Sequence, residues 1–209
     1  MPPDPQLAEL ARAISGLPFR HKRRLIAVAG PPASGKSTLA AALSLQVSRS
    51  CVVPMDGFHL DNRLLEERGA LARKGAPHTF DVAGLNHLLA RLQTEEEVNF
   101  PIFDREIDRA IAGAGCVDSD TKTVLVEGNY LLFDKPGWRD LAVFWDFSLY
   151  LAVPEADLRK RLLARWHAHG YSAETARQKT EANDLPNARL VTEHLLTPHL
   201  YLEEAQLAL

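Results

Sequence analysis

With two cysteines in 209 residues, the chain cannot assemble a four-thiolate metal site. A disulfide framework is not expected at this length either. Cys51 opens an apolar run and reads as a small buried hydrophobe. The eight histidines show no metal-ligand spacing: His167 and His169 lie two apart on a helical stretch and do not share a face. No apolar run has the length of a membrane span. The opening MPPDPQLAEL lacks the basic-then-apolar pattern of an export signal. A cytoplasmic protein is therefore expected. The net charge of −3 provides no basic excess of the kind nucleic-acid binding rests on. Neither a nucleic acid nor a membrane is expected as a partner. There is no internal repeat, low-complexity tract or composition shift. What remains is ordinary, 46% hydrophobic and 24% charged, and suits one α/β domain over residues 1–209.

The feature that organises the chain is LIAVAGPPASGKST, Leu25 to Thr38. An apolar strand ends at Gly30, the pattern G-x-x-x-x-G-K-S runs to Ser37, and helix formers follow from Leu39. Strand, glycine turn and helix are the context of a phosphate-binding loop. Gly30, Pro31, Pro32, Ala33, Ser34 and Gly35 form the turn, and Lys36, Ser37 and Thr38 open the helix. Glycines let the backbone approach phosphate, and the helix N-terminus supplies partial positive charge. Lys36 can reach the β- and γ-phosphates, and the Ser37 hydroxyl can ligate Mg²⁺. ATP and Mg²⁺ are the expected cofactors.

Two further apolar strands end in carboxylates. Cys51 to Pro54 reads as a short buried strand followed by Met55-Asp56-Gly57-Phe58-His59. Thr123 to Val126 is another, followed by Glu127-Gly128-Asn129-Tyr130. Ligands of open α/β sheets gather at the carboxyl ends of strands. Asp56 can there accept the proton of an attacking hydroxyl, bind Mg²⁺ through water, or simply cap an Asp-Gly turn. Glu127 can hold Mg²⁺ or its water shell, or pair with a nearby base. His59 and Asn129 follow these carboxylates and are candidates for acceptor contacts.

Elsewhere the pattern alternates strands with helices, which predicts a parallel, multi-layer sheet. Helices are expected over residues 4–16 (Asp4 as cap), 62–68, 82–92 behind Asp81, and 155–170 behind Pro154. The 155–170 helix carries Leu158, Leu162 and Trp166 on one stripe and Arg161 with Arg165 on one flank. Those arginines either meet the oxygens of a transferring phosphoryl or belong to a solvated face. Arg159 and Lys160 read as solvent-facing. A helix capped by Ser172 should run to 182 and be interrupted by Asn183-Asp184-Leu185-Pro186-Asn187, with a short helix after it. Leu141 to Val153 reads as a fourth strand region and Pro198 to Leu202 as a last strand. Residues 70–80 read as a loop, 98–120 as a small strand pair, and Gly113 to Asp120 as a turn.

GPPASGKST, MDGFH, FDR, VEGNYLL and an RLLARW helix occur here in that order. The sequence thereby resembles the uridine kinase, phosphoribulokinase and pantothenate kinase superfamily of P-loop kinases. MDGFHLDN, RKGAPHTFD and NDLPNA add a likeness to its smaller nucleoside/nucleotide kinase-like branch, also labelled fructose transport system kinase. The resemblance spans about Ile26 to Asn187. It implies a three-layer P-loop fold with a mainly parallel sheet, an acceptor excursion near 57–80 and 99–120, and a helical lid near 154–185. It implies transfer of the γ-phosphoryl of ATP to the hydroxyl of a small molecule. Asp56 and Lys36 would be catalytic, with Arg161 and Arg165 in the lid and Glu127 near Mg²⁺ and substrate. His78, Asp104 and Arg105 would line the acceptor pocket. The lid lacks the dense arginine motif of uridine kinases, which weighs against uridine or cytidine. A sugar-like acceptor ranks first and a nucleoside or pantothenate-like compound second. A homodimer is an open expectation. The competing readings are a non-catalytic nucleotide-binding module and a nucleotide-driven motor or switch, for which no partner domain is visible.

Overall fold

The computed structural model describes residues 5–203. The expected cap Asp4 lies outside them. Helix α1 (Pro5–Gly16) precedes strand β1 (Arg24–Ala29), helix α2 (Lys36–Gln46) and strand β2 (Ser50–Pro54). Helices α3 (Asn62–Glu67) and α4 (Val82–Thr94) follow, each started by a side chain: Asp61 accepts from Arg63 N and Asp81 from Gly84 N. An antiparallel pair, β3 (Val98–Asp104) and β4 (Arg109–Val117), comes next, then β5 (Thr123–Gly128) and β6 (Phe147–Ala152). Helices α5 (Glu155–Ala168), α6 (Ala173–Lys179) and α7 (Leu185–Glu193) lead to β7 (Leu200–Glu203).

Five strands form one sheet in the order β2-β5-β1-β6-β7, every neighbouring pair parallel. A parallel sheet must be covered on both faces, and alternate residues divide between two cores. Ile26, Val28, Leu125, Leu149 and Leu151 pack with α1 and α2. Leu25, Ala27, Ala29, Val124, Val126 and Tyr150 pack with α4 and an aromatic group of Phe80, Tyr130, Phe133 and Trp138. The result is the expected three-layer α/β architecture. A third, smaller cluster of Leu158, Leu162, Leu185 and Ala188 belongs to α5 and α7 and touches the rest through Ala33 and Val153.

Four local expectations are corrected. β2 is a sheet edge, so only Val53 of CVVP is fully buried and Cys51 is half-buried. The apolar run from Leu141 is not all strand: residues 139–144 form a 3₁₀ turn that sinks Leu141 and Phe144 into the core, and β6 begins only at Phe147. Gly113 to Val117 is strand rather than turn, and its Gly115 leaves room for the Phe100 ring, which any Cβ would overlap. Asn183 to Asn187 does not interrupt the helix. A wide turn, Thr180–Asp184, with π-type bonding carries α6 directly into α7, where Pro186 sits in the first turn.

Candidate active site

The sheet topology sets the site. β5 lies between β2 and β1, and Val28, Glu127 and Pro54 stand in one row across the three strands. Two residues beyond that row on either side are Gly30 of the phosphate-loop turn and Asp56. The turn Met55–Phe58 carries Asp56, and α2 opens at Lys36 directly after left-handed Gly35. Thus the phosphate loop, Glu127 and Asp56 line the carboxyl edge in a single file. Close backbone approach fixes the glycines beside both carboxylates. A Cβ on Gly128 would overlap Met55, and one on Gly57 would overlap the carbonyl of Pro101.

Glu127 is 7% exposed. Burial pushes its carboxyl above the usual range; the nearby Lys36 cation and a hydrogen bond from the Ser37 hydroxyl oppose this, and the Asp56 charge adds to it. Asp56 is more open. Its Oδ2 accepts from Arg105 Nη2 at 2.9 Å. His59 sits behind it, its Nδ1 2.8 Å from the Asp56 backbone oxygen, its ring 4.0 Å from Phe80 and 4.6 Å from Phe103. Burial holds this imidazole below its ordinary pKa, which keeps it neutral at pH 7. With Nδ1 donating to a carbonyl, Nε2 is the acceptor nitrogen.

Helix α5 brings arginines. Arg161 Nη1 lies 3.4 Å from the Ala33 carbonyl and 3.5 Å from that of Ser34, so it rests on the phosphate loop. Arg165 stands 3.6 Å from Asp184, whose other oxygen accepts from Trp166 Nε1 at 2.6 Å. Burial outweighs this ion pair for Asp184, whose carboxyl is pushed up despite its cation, and burial likewise pulls Arg165 down. Arg165 is close enough to Asp56 and Arg105 to feel both charges. Arg159 and Lys160, expected in solvent, are on the surface but paired: Arg159 with Glu181 and Glu155, Lys160 with Asp157.

Not every candidate converges. Asp104 Oδ1 accepts from Glu106 N and Ile107 N and so shapes the β3–β4 tip. His78 is exposed on the turn Pro77–Thr79, and among the described residues no hydrogen bond or ion pair ties it to the other candidates. The Asn129 Oδ1 is buried without a hydrogen-bond partner among the described residues. Sequence reasoning missed Arg73, Asn183, Asp184 and Trp166. Their roles arise from contacts between remote segments, and the only local signal was the wide-turn stretch around Pro186.

The residues fit nucleotide and magnesium. The Ser34 hydroxyl within the turn is buried with no hydrogen-bond partner among the described residues. Ser37 and Glu127 bring a hydroxyl and a carboxylate oxygen together beside Lys36. No group of three His, Cys, Asp or Glu that could hold a metal occurs among the described residues. Magnesium needs only one or two protein oxygens when phosphate and water complete its shell.

The family model described as phosphoribulokinase/uridine kinase family matches residues 25–192. The chain belongs to that family. This kinase is 35% identical over 205 residues to a Schizosaccharomyces pombe protein named as a candidate uridine kinase, covering 90% of the chain and 87% of the relative. A solved structure from Silicibacter sp. TM1040, described as a candidate fructose transport system kinase, superposes with TM-score 0.88 at 50% identity over 94% of this chain and 98% of that one. YFH7 of Saccharomyces cerevisiae shares the fold, with TM-score 0.83 at 17% identity over 94% of this chain and 98% of its own. The protein is thus an ATP-dependent kinase acting on a small molecule. No helix among the described residues is long and apolar enough to cross a membrane.

Proposed function

We propose that this kinase transfers the γ-phosphoryl of ATP to a hydroxyl of a sugar-like molecule, with Asp56 as the general base. The observation that carries the assignment is the file of phosphate loop, Glu127 and Asp56 along one sheet edge. Arg105 holds one oxygen of Asp56 and leaves Oδ1 without a hydrogen bond among the described residues. Oδ1 accepts the acceptor's proton as its oxygen bonds to the γ-phosphorus; the bond to the β,γ-bridging oxygen breaks and ADP leaves. Lys36, Arg161 and Arg165 meet the charge on the phosphate oxygens. Ser37 and Glu127 would hold magnesium, which neutralises phosphate charge when bound. His59, Asn129 and Arg105 contact the acceptor.

The sugar preference is supported by the name of the Silicibacter neighbour at 50% identity. It is tested by a coupled ADP-release screen over hexoses, pentoses, nucleosides and pantothenate. The reading expects ADP only with a sugar-like acceptor and a phosphorylated product by mass spectrometry. Turnover with pantothenate or a nucleoside alone would replace the substrate class.

A further inference from the structure

Polar bonds fasten the loop 70–80 to the lid. Arg73 Nη1 donates to the Ala182 carbonyl at 2.6 Å, and its Nη2 to Asn187 Oδ1 at 3.3 Å. In return, Asn183 Nδ2 donates to the Lys74 carbonyl at 2.8 Å. The next carbonyl along, Gly75, accepts from Tyr130 Oη at 2.7 Å, three residues past Glu127. The acceptor on the lid is prepared by sequence. Pro186 has no N–H to give the carbonyl four residues back, that of Ala182, so this oxygen is available to Arg73. The wide turn that holds Ala182 and Asn183 also holds Asp184, the partner of Arg165.

The lid has its own apolar cluster, distinct from the two sheet cores. The bonds between Arg73, Asn183 and the facing carbonyls can exchange with water, so the contact can open and close. We propose that Arg73 is a positioning residue: with Asn183 it latches the loop to the lid. Loop and lid then seat as one body, and Arg165 is presented toward Asp56 only while the loop is in place. Arg73 acts through Ala182 and Asp184 and need not touch substrate. The consequence for turnover rests on the phosphotransfer reading, but the latch itself can be read without turnover.

Hydrogen exchange on the full chain, with ADP and magnesium present, tests this. Arg73→Ala is expected to raise exchange about tenfold in both 70–80 and 173–187, and to leave β1 and α2 unchanged. Arg73→Lys, which keeps a donor toward Ala182, restores most of the protection. Asn183→Ala removes the bond made from the other side and reproduces the paired change even if the arginine variant folds poorly. In the kinase assay Arg73→Ala lowers kcat about tenfold with ADP affinity within about twofold. A change confined to the loop or to the lid, or none in either, would overturn the latch. If the two segments respond together while no acceptor is phosphorylated, the latch stands and the phosphotransfer reading falls.

Discussion

Arg105, at the tip of the β3–β4 pair, donates to Asp56 in the turn after β2 at 2.9 Å. Segments 49 residues apart thereby meet on the proposed base. The pair is largely open, with side-chain exposures of 59% and 28%, so it contributes at most about 1 kcal/mol to folding. Its value lies in holding one carboxylate oxygen and aiming the other. Arg105→Ala is expected to move Tm by less than about 4 °C and to lower kcat/KM about 10–100-fold. Arg105→Lys should recover part of that loss. Unchanged kcat/KM in the alanine variant, measured by ADP release, would remove Arg105 from the site.

Gly57 is pressed against the Pro101 carbonyl, so the turn bearing Asp56 and strand β3 can seat only without a side chain there. Gly57→Ala is expected to cost about 1–3 kcal/mol by overpacking. For a chain of this size that lowers Tm by roughly 2–10 °C. Calorimetry reads it directly; a wild-type Tm would mean that the two segments are not in close contact.

Glu127 gives a pH dependence whose sign follows from burial. Burial raises its carboxyl above the ordinary glutamate value of 4.5, so the folded state holds the proton longer than the unfolded chain. Its favourable contribution is full below that value and is lost as pH rises through the folded-state pKa, where a buried carboxylate must ionise. Glu127→Gln is therefore expected to raise Tm of the ligand-free protein near pH 8 and to have little effect near pH 4. Added magnesium and ADP should stabilise the wild type more than the variant, because the ionised form is the one that binds the cation. Equal Tm values at both pH values would contradict this.

The donor half of the site was legible because its residues follow one another in sequence. The phosphate loop is contiguous, and an apolar run ending in Asp56 or Glu127 marks a strand end without tertiary knowledge. The parallel, multi-layer sheet followed from the alternation of strands and helices, and its three layers from the family resemblance. The failures have equally specific causes. Apolarity alone did not separate β6 from the 3₁₀ turn at 139–144, since both bury Leu and Phe side chains. Pro186 read as a break because its missing N–H is costly in an ordinary helix, yet a wide turn and Arg73 absorb it here. Arg73 was invisible as a positioning residue because its lid partner Ala182 lies 109 residues away. Asp104 was placed beside Arg105 in the acceptor pocket by the family resemblance of the FDR segment, although its carboxylate is occupied by the tip of its own turn.

The most direct test of the account compares wild type and Asp56→Asn for acceptor-dependent ADP release, with ATP affinity measured on the same samples. The predicted result is a loss of transfer of roughly 100-fold or more with ATP affinity within about threefold, because the variant keeps the shape but not the base. ADP release by Asp56→Asn at the wild-type rate, with or without an acceptor, would contradict the assignment of Asp56 as the base.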